Sequence, residues 1–152
     1  MNTRLPAIIA VGLALLVATP ARAQGGGDRW ERQVRGQLER EKASLGTKGA
    51  VRSFAPRVGT LDTDESESFT LTLQAGVSYV VVGTCDEDCE RLSLVLSDLS
   101  SHDLAADRAS ENAPVVRFGP RETAAYRVKV VMERCRVNPC RYGVALLTLP
   151  AP

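Results

Sequence analysis

Ala124-Ala-Tyr-Arg-Val-Lys-Val-Val-Met132 sets Tyr126, Val128, Val130 and Met132 at every second position, with Arg127, Lys129 and Val131 between them. Alternation of this kind is the signature of a strand that buries one face. The same period of two runs through Phe69, Leu71 and Leu73, which alternate with Ser68, Thr70 and Thr72, and through Leu92, Leu94 and Leu96. Val77 to Val82 is a β-branched run ended by Gly83, and Tyr142 to Leu149 is a last apolar run before Pro150. Shorter candidates lie at Ala50–Phe54, Leu104–Asp107 and Val115–Phe118. Seven or eight short strands separated by Gly, Pro, Asp and Ser predict an all-β fold, an antiparallel β-sandwich or barrel. No helical pattern separates the strands, which excludes a parallel βαβ sheet.

Upstream of residue 50 the period is helical. Trp30, Val34 and Leu38 fall at i, i+4 and i+8, Asp28 stands at an N-cap position, and Gly46 and Gly49 follow. The pattern predicts one amphipathic α-helix from Asp28 to about Lys42. Its stripe is narrow, so it buries an edge rather than forming a core. It is read as docked on the following domain, with a solvated linker or a pairing surface as alternatives. The sandwich, with its own strands, is expected to fold without it. Further upstream, Arg4 precedes an apolar run from Ala7 to Ala18, then Pro20 and Ala21-Arg22-Ala23. Charge, apolar core and small-residue cleavage site in this order predict a signal peptide over residues 1–23. The apolar run is too short to span a membrane. The expected organisation is therefore a signal peptide at 1–23, a flexible leader and helix at 24–48, and the sandwich at 49–150.

The chain has 152 residues and a formal net charge of +1. Near-neutral charge argues against nucleic-acid binding, which needs a basic excess, and 5% aromatic content leaves few stacking platforms. Its one histidine, His102, lies in a polar stretch and is read as an exposed loop residue. No Gly-x-Ser-x-Gly elbow, phosphate loop or dinucleotide fingerprint is present. The chain is expected not to be an enzyme.

Two cysteine pairs stand out. Cys85 and Cys89 enclose Asp86-Glu87-Asp88, and Cys135 and Cys140 enclose Arg136-Val137-Asn138-Pro139. In an exported chain an even cysteine count reads as disulfides, and four cysteines allow three connectivities. Pairing within each short turn, Cys85 with Cys89 and Cys135 with Cys140, is favoured because such turns bring partners together without help from the rest of the fold. A four-thiolate zinc site is the rival reading. Carboxylates also cluster, at Asp62, Asp64, Glu65 and Glu67 and again at Asp86, Glu87, Asp88 and Glu90. Oxygen-rich turns suit Ca²⁺. Glu67 and Leu73 occupy the positions where an EF-hand loop needs Gly and Glu, which rules that motif out. The expectation is no cofactor, with solvated acidic turns. If calcium binds, Asp62, Asp64, Asp86, Glu87 and Asp88 are the expected ligands.

The order of small cues from Gly59 to Leu147 resembles the bacterial pre-peptidase C-terminal domain family. The cues are Gly59-Thr-Leu61 with Asp62 to Ser68 as an opening turn into the strand Phe69-Thr-Leu-Thr-Leu73, then Gln74-Ala-Gly76 followed by Val77-Ser-Tyr79, Leu92-Ser-Leu-Val-Leu-Ser-Asp98, Ala124-Ala-Tyr-Arg-Val128 and Tyr142-Gly-Val144. The resemblance implies a jelly-roll-like β-sandwich of the kind often appended to secreted peptidases and not itself catalytic, some members of which bind extracellular polymers or Ca²⁺. Arg91 and Ser93 stand where that family often has aspartates, and Ala124 where it usually has Gly. The expected function is an exported, non-enzymatic binding module acting through its surface on a periplasmic or extracellular protein or polysaccharide. The alternative is an accessory or regulatory protein of a secreted peptidase. No nucleic acid and no membrane span after signal cleavage are expected.

Overall fold

Continuous apolar runs and alternating runs lead to two different kinds of strand. The structure, a computed structural model, describes residues 27–46 and 52–149. The expected signal peptide, the start of the leader and residues 47–51 lie outside the described residues. Among the described residues one helix, α1 (Gly27–Gly46), precedes nine strands: β1 (Arg52–Ser53), β2 (Arg57–Leu61), β3 (Ser66–Leu73), β4 (Tyr79–Cys85), β5 (Cys89–Ser97), β6 (Asp103–Asp107), β7 (Val115–Phe118), β8 (Ala124–Cys135) and β9 (Cys140–Thr148). They form two antiparallel sheets. One has the order β1-β9-β4-β7, with β2 also on the free side of β9, and the other has the order β3-β8-β5-β6. The fold is the antiparallel β-sandwich that the alternation predicts.

Leu73, Leu92, Leu94, Leu96, Val128, Val130 and Met132 from one sheet meet Tyr79, Val81, Val116, Tyr142, Val144 and Leu146 from the other in the main core. In β3 exposed and partly covered residues alternate, whereas every residue of β4 is buried. The difference comes from α1. Leu45 joins Val80, Val82 and Leu147 in a second cluster on the outer face of the β9-β4 sheet. Val34 and Leu38 close over Gly143, where a Cβ atom would stand 2.6 Å from Val34 Cγ1 and 2.7 Å from Leu38 Cδ1. Thr84 Oγ1 and Gln37 Oε1 are 3.0 Å apart, so the threonine hydroxyl donates a hydrogen bond to the helix. The helix runs four residues beyond its expected end, and Leu45 extends the stripe of Val34 and Leu38. It covers Val80, Val82 and Leu147 on the outer face of the sheet.

Gly59-Thr-Leu61 leads into the opening turn as the end of strand β2, which pairs Arg57 to Leu61 against Val144 to Cys140. Gly59 is required by close approach, because a Cβ there would lie 2.8 Å from the Tyr142 ring. The turn follows at residues 62–65, with Asp64 at φ 65°. An aspartate tolerates this left-handed conformation better than most residues.

Candidate functional site

The strands deliver all four cysteines to one end of the sandwich. Cys85 ends β4 and Cys89 begins β5, in opposite sheets, and the two are joined by a disulfide with Cα atoms 5.9 Å apart. Cys135 ends β8 and Cys140 begins β9, again in opposite sheets, and their disulfide has the same 5.9 Å Cα separation. Both clips therefore run from one sheet to the other. Loop 86–88 lies within the first and loop 136–139 within the second.

A third loop, 62–65, is fastened to them. Asn138 Oδ1 accepts the Thr63 N–H at 3.1 Å, and Thr63 Oγ1 accepts the Cys135 N–H at 2.9 Å. The Asp64 N–H reaches Met132 O at 2.7 Å. The two clipped loops are also joined directly. Arg136 N–H donates to Asp88 O at 2.7 Å, and the Arg136 guanidinium donates to Glu87 O. The Asp86 N–H donates to Arg141 O at 3.0 Å, and Asp86 Oδ2 accepts the Arg141 N–H at 2.9 Å. Above this frame stands Val137, 59% exposed. The exposed ion pairs at the rim, Arg136 with Asp88 and Arg134 with Glu90, are each 3.9 Å long. Pairs of this kind contribute little.

The acidic residues singled out in the sequence are all at this end but in different settings. Asp62, Asp64 and Glu87 are exposed, Asp88 is half-buried, and Asp86 is 2% exposed. Among the described residues no group of three or more His, Cys, Asp or Glu side chains is arranged to hold a metal ion. Asp86 Oδ1 is buried without a hydrogen-bond partner. Burial pushes the Asp86 carboxyl above its usual range, opposed by the Arg141 N–H and reinforced by the nearby Asp88.

The flank of the same end carries a polar tie between the sheets. Tyr142, fully buried, donates its hydroxyl to Glu67 Oε2 at 2.6 Å, and Arg57 donates to Glu67 Oε1 through Nε at 2.8 Å. The Arg57 guanidinium also lies 5.1 Å from the centre of the Phe69 ring. The tyrosine hydrogen bond holds the Glu67 carboxyl below its usual range. Burial and the carboxylate raise the Tyr142 hydroxyl well above its own.

The opposite end is built differently. There Asp98, Leu104, Phe118, Gly119, Arg121, Glu122 and Tyr126 line an open groove of about 460 Å³. Phe118 and Tyr126 meet edge to face at 5.1 Å, and Leu104 at the rim is 43% exposed. His102 projects nearby, with a side chain 77% exposed and Nδ1 2.9 Å from Asp98 Oδ2.

Sequence reasoning places the cysteines and carboxylates but not Thr63, Asn138 and Arg136, whose polar groups bind the three loops together. A Thr between two aspartates and an Asn before Pro139 are ordinary turn residues. Nothing local to them marks a partner 75 residues away.

No protein-family model matches the chain, and no curated protein matches it in sequence. Solved structures do share its fold. It is similar to the pre-peptidase C-terminal domain of a collagenase from Bacillus anthracis, at 16% identity and a TM-score of 0.50 over 60% of this chain and 87% of that one. It is also similar to PliG from Aeromonas hydrophila, a periplasmic inhibitor of g-type lysozyme, at 15% identity and a TM-score of 0.50 over 66% of this chain and 89% of that one. The likeness is one of fold.

Proposed function

We propose that the chain is an exported, non-enzymatic module that binds a protein partner through its clipped end. The observation that supports this reading best is that loops 86–88 and 136–139 are each closed by a disulfide and loops 62–65 and 86–88 are both hydrogen-bonded to loop 136–139, with Val137 held out above them. A surface ordered in advance loses less conformational entropy when it docks, which favours affinity. An exposed apolar side chain amid charged and polar neighbours has the make-up of an interface centre with a polar rim. The two disulfides support an oxidising compartment outside the cytoplasm. The fold is also used by a periplasmic inhibitor, so a sandwich of this kind is compatible with protein recognition. A regulatory role toward a secreted hydrolase is the finer form of the same reading.

The test is photo-crosslinking in the exporting cell, with a photoreactive residue at position 137 or, as the comparison, at position 104. A discrete adduct from position 137 that disappears when Arg136 is also changed to Glu is expected. Adducts from position 104 alone would move the docking surface to the groove and overturn the proposal.

A further inference from the structure

Among the described residues β3 pairs with β8 alone, so its far side is a sheet edge. The Met132 N–H donates to Glu65 O at 2.9 Å, which fixes the phase of the ladder. Hydrogen-bonded pairs alternate along antiparallel strands. Glu67, Phe69, Leu71 and Leu73 therefore turn their N–H and C=O groups to β8, and Ser66, Ser68, Thr70 and Thr72 turn theirs outward. An open row of this kind is a template for another strand, and proteins blunt it with short strands, Pro, charge or bulges. The other edges among the described strands are blunted in these ways. β1 and β2 have two and five residues, with Pro56 between them. β7 has four residues and lies between Pro114 and Pro120. β6 has five residues, carries Asp103 and Asp107, and has a register shift against β5. In contrast β3 has eight residues, no Pro, Lys or Arg, and an unbroken register. Its one charged residue, Glu67, is engaged by Tyr142 and Arg57.

We propose that β3 pairs antiparallel with β3 of a second copy of this chain, about a two-fold axis at Phe69, and so joins two β3-β8-β5-β6 sheets into one continuous sheet. The position of the axis follows from the outward set. With the centre at residue 69, Ser66 faces Thr72 of the second copy and Ser68 faces Thr70, and every outward N–H meets a C=O. Any other centre leaves part of the row unpaired. The chain is complementary to itself in this register. On the outer face Ser and Thr stand opposite each other, a combination that sheets favour. On the inner face the two Phe69 rings meet, and Glu67 lies opposite Leu71, so no like charges are opposed. Phe69 and Leu71 are only partly buried in the single chain, and the second copy covers what remains. The paired strands run in opposite directions, so the two clipped ends point away from each other. The inference rests on strand order and does not depend on the docking partner proposed above.

Sedimentation velocity of the purified full chain, from micromolar to millimolar concentration, tests it. A species of twice the chain mass that grows with concentration is expected, and a chain that stays monomeric throughout overturns the proposal. Thr70→Pro then locates the contact. It removes an outward N–H that the single chain does not use, and edge positions tolerate Pro for that reason. A hydrogen bond is lost from each copy, so the folded variant is expected to have a dissociation constant raised about thirtyfold. An unchanged dimer in that variant contradicts the proposal. Where Thr70→Pro does not fold, charge reports the register. Ser68→Lys with Thr70→Lys in one chain, and Ser68→Glu with Thr70→Glu in another, each oppose like charges across the axis. Each is expected to be monomeric alone and to form a mixed dimer with the other. Dimerisation of either variant alone, or a mixture that stays monomeric, contradicts the pairing.

Discussion

At one end of the sandwich three loops are fastened to each other, and at the other end one loop stands apart. Disulfides close loops 86–88 and 136–139, and hydrogen bonds tie loops 62–65 and 86–88 each to loop 136–139. At the far end, Gly76 N–H reaches Pro120 O at 3.1 Å and Ala75 N–H reaches Thr123 Oγ1 at 3.0 Å, which joins two loops. The third loop closes mainly on itself, through Asp98 N–H to His102 O at 3.1 Å and His102 N–H to Asp98 Oδ1 at 2.9 Å. The groove opens beside that self-closed loop. A sandwich can therefore carry a platform fixed before docking at one end and a more adaptable cleft at the other, on the same strands. Covalent and loop-to-loop ties, rather than loop length, make the difference.

The largest expected effect is a change that reaches both ends alike. Leu38, fully buried against Gly143, supports the sheet that carries Cys85 and Cys140. Leu38→Ala is expected to cost about 2–5 kcal/mol in chemical denaturation, as large-to-small changes in a core do. A cost well under about 1 kcal/mol would show α1 to be peripheral and the sandwich self-sufficient.

Next comes a change confined to one end. A ring of about five residues removes roughly 2 kcal/mol of unfolded-state entropy. Replacing all four cysteines by Ser is thus expected to cost about 4 kcal/mol, with the remaining structure intact and amide exchange accelerated selectively in loops 62–65, 86–88 and 136–139. Equal acceleration at residues 98–102 would erase the contrast between the ends.

A matched pair sharpens it further. Asn138→Ala strands the Thr63 N–H and Thr123→Ala strands the Ala75 N–H. Each is expected to cost about 1 kcal/mol, the worth of one hydrogen bond. The global losses should match, while partner binding falls for Asn138→Ala alone. Similar losses of binding for both would count against the clipped end as the docking surface.

The smallest effect is in pH dependence, where the ends carry opposite signs. The Asp86 carboxyl is raised by burial, so the folded chain holds its proton more tightly than the unfolded chain. Stability from this group then falls as pH rises above about 4, and Asp86→Asn should flatten that fall. The Asp98 carboxyl is lowered by the His102 N–H. Its contribution is present above the ordinary carboxylate range and fades as pH drops below it, so Asp98→Asn should flatten the acid limb instead. Thermal melts of both variants across acid pH would show whether the two limbs separate in this way.

The strand pattern made the sandwich legible, and a further cue lay in its irregularity. β3 alternates because only its inward face is covered, while β4 and β9 are apolar almost throughout because α1 covers their outer faces. The helical stripe of Trp30, Val34 and Leu38 identified α1, but its seat at Gly143 was not readable, since a glycine in a strand does not say what approaches it. The same holds for Gly59, where proximity of the Tyr142 ring sets the residue. Acidic turns were visible as composition. Their separation into exposed Asp62, Asp64 and Glu87 and buried Asp86 depends on which loops meet, and that is a long-range outcome of strand order.

Hydrogen exchange on the chain with the partner captured through position 137, compared with the chain alone, tests the central claim most directly. The account predicts slowed exchange at residues 62–65, 86–88 and 136–139 on binding, with residues 98–102 and 119–123 unchanged. Slowing confined to residues 98–102 and 119–123, around the groove, would contradict it.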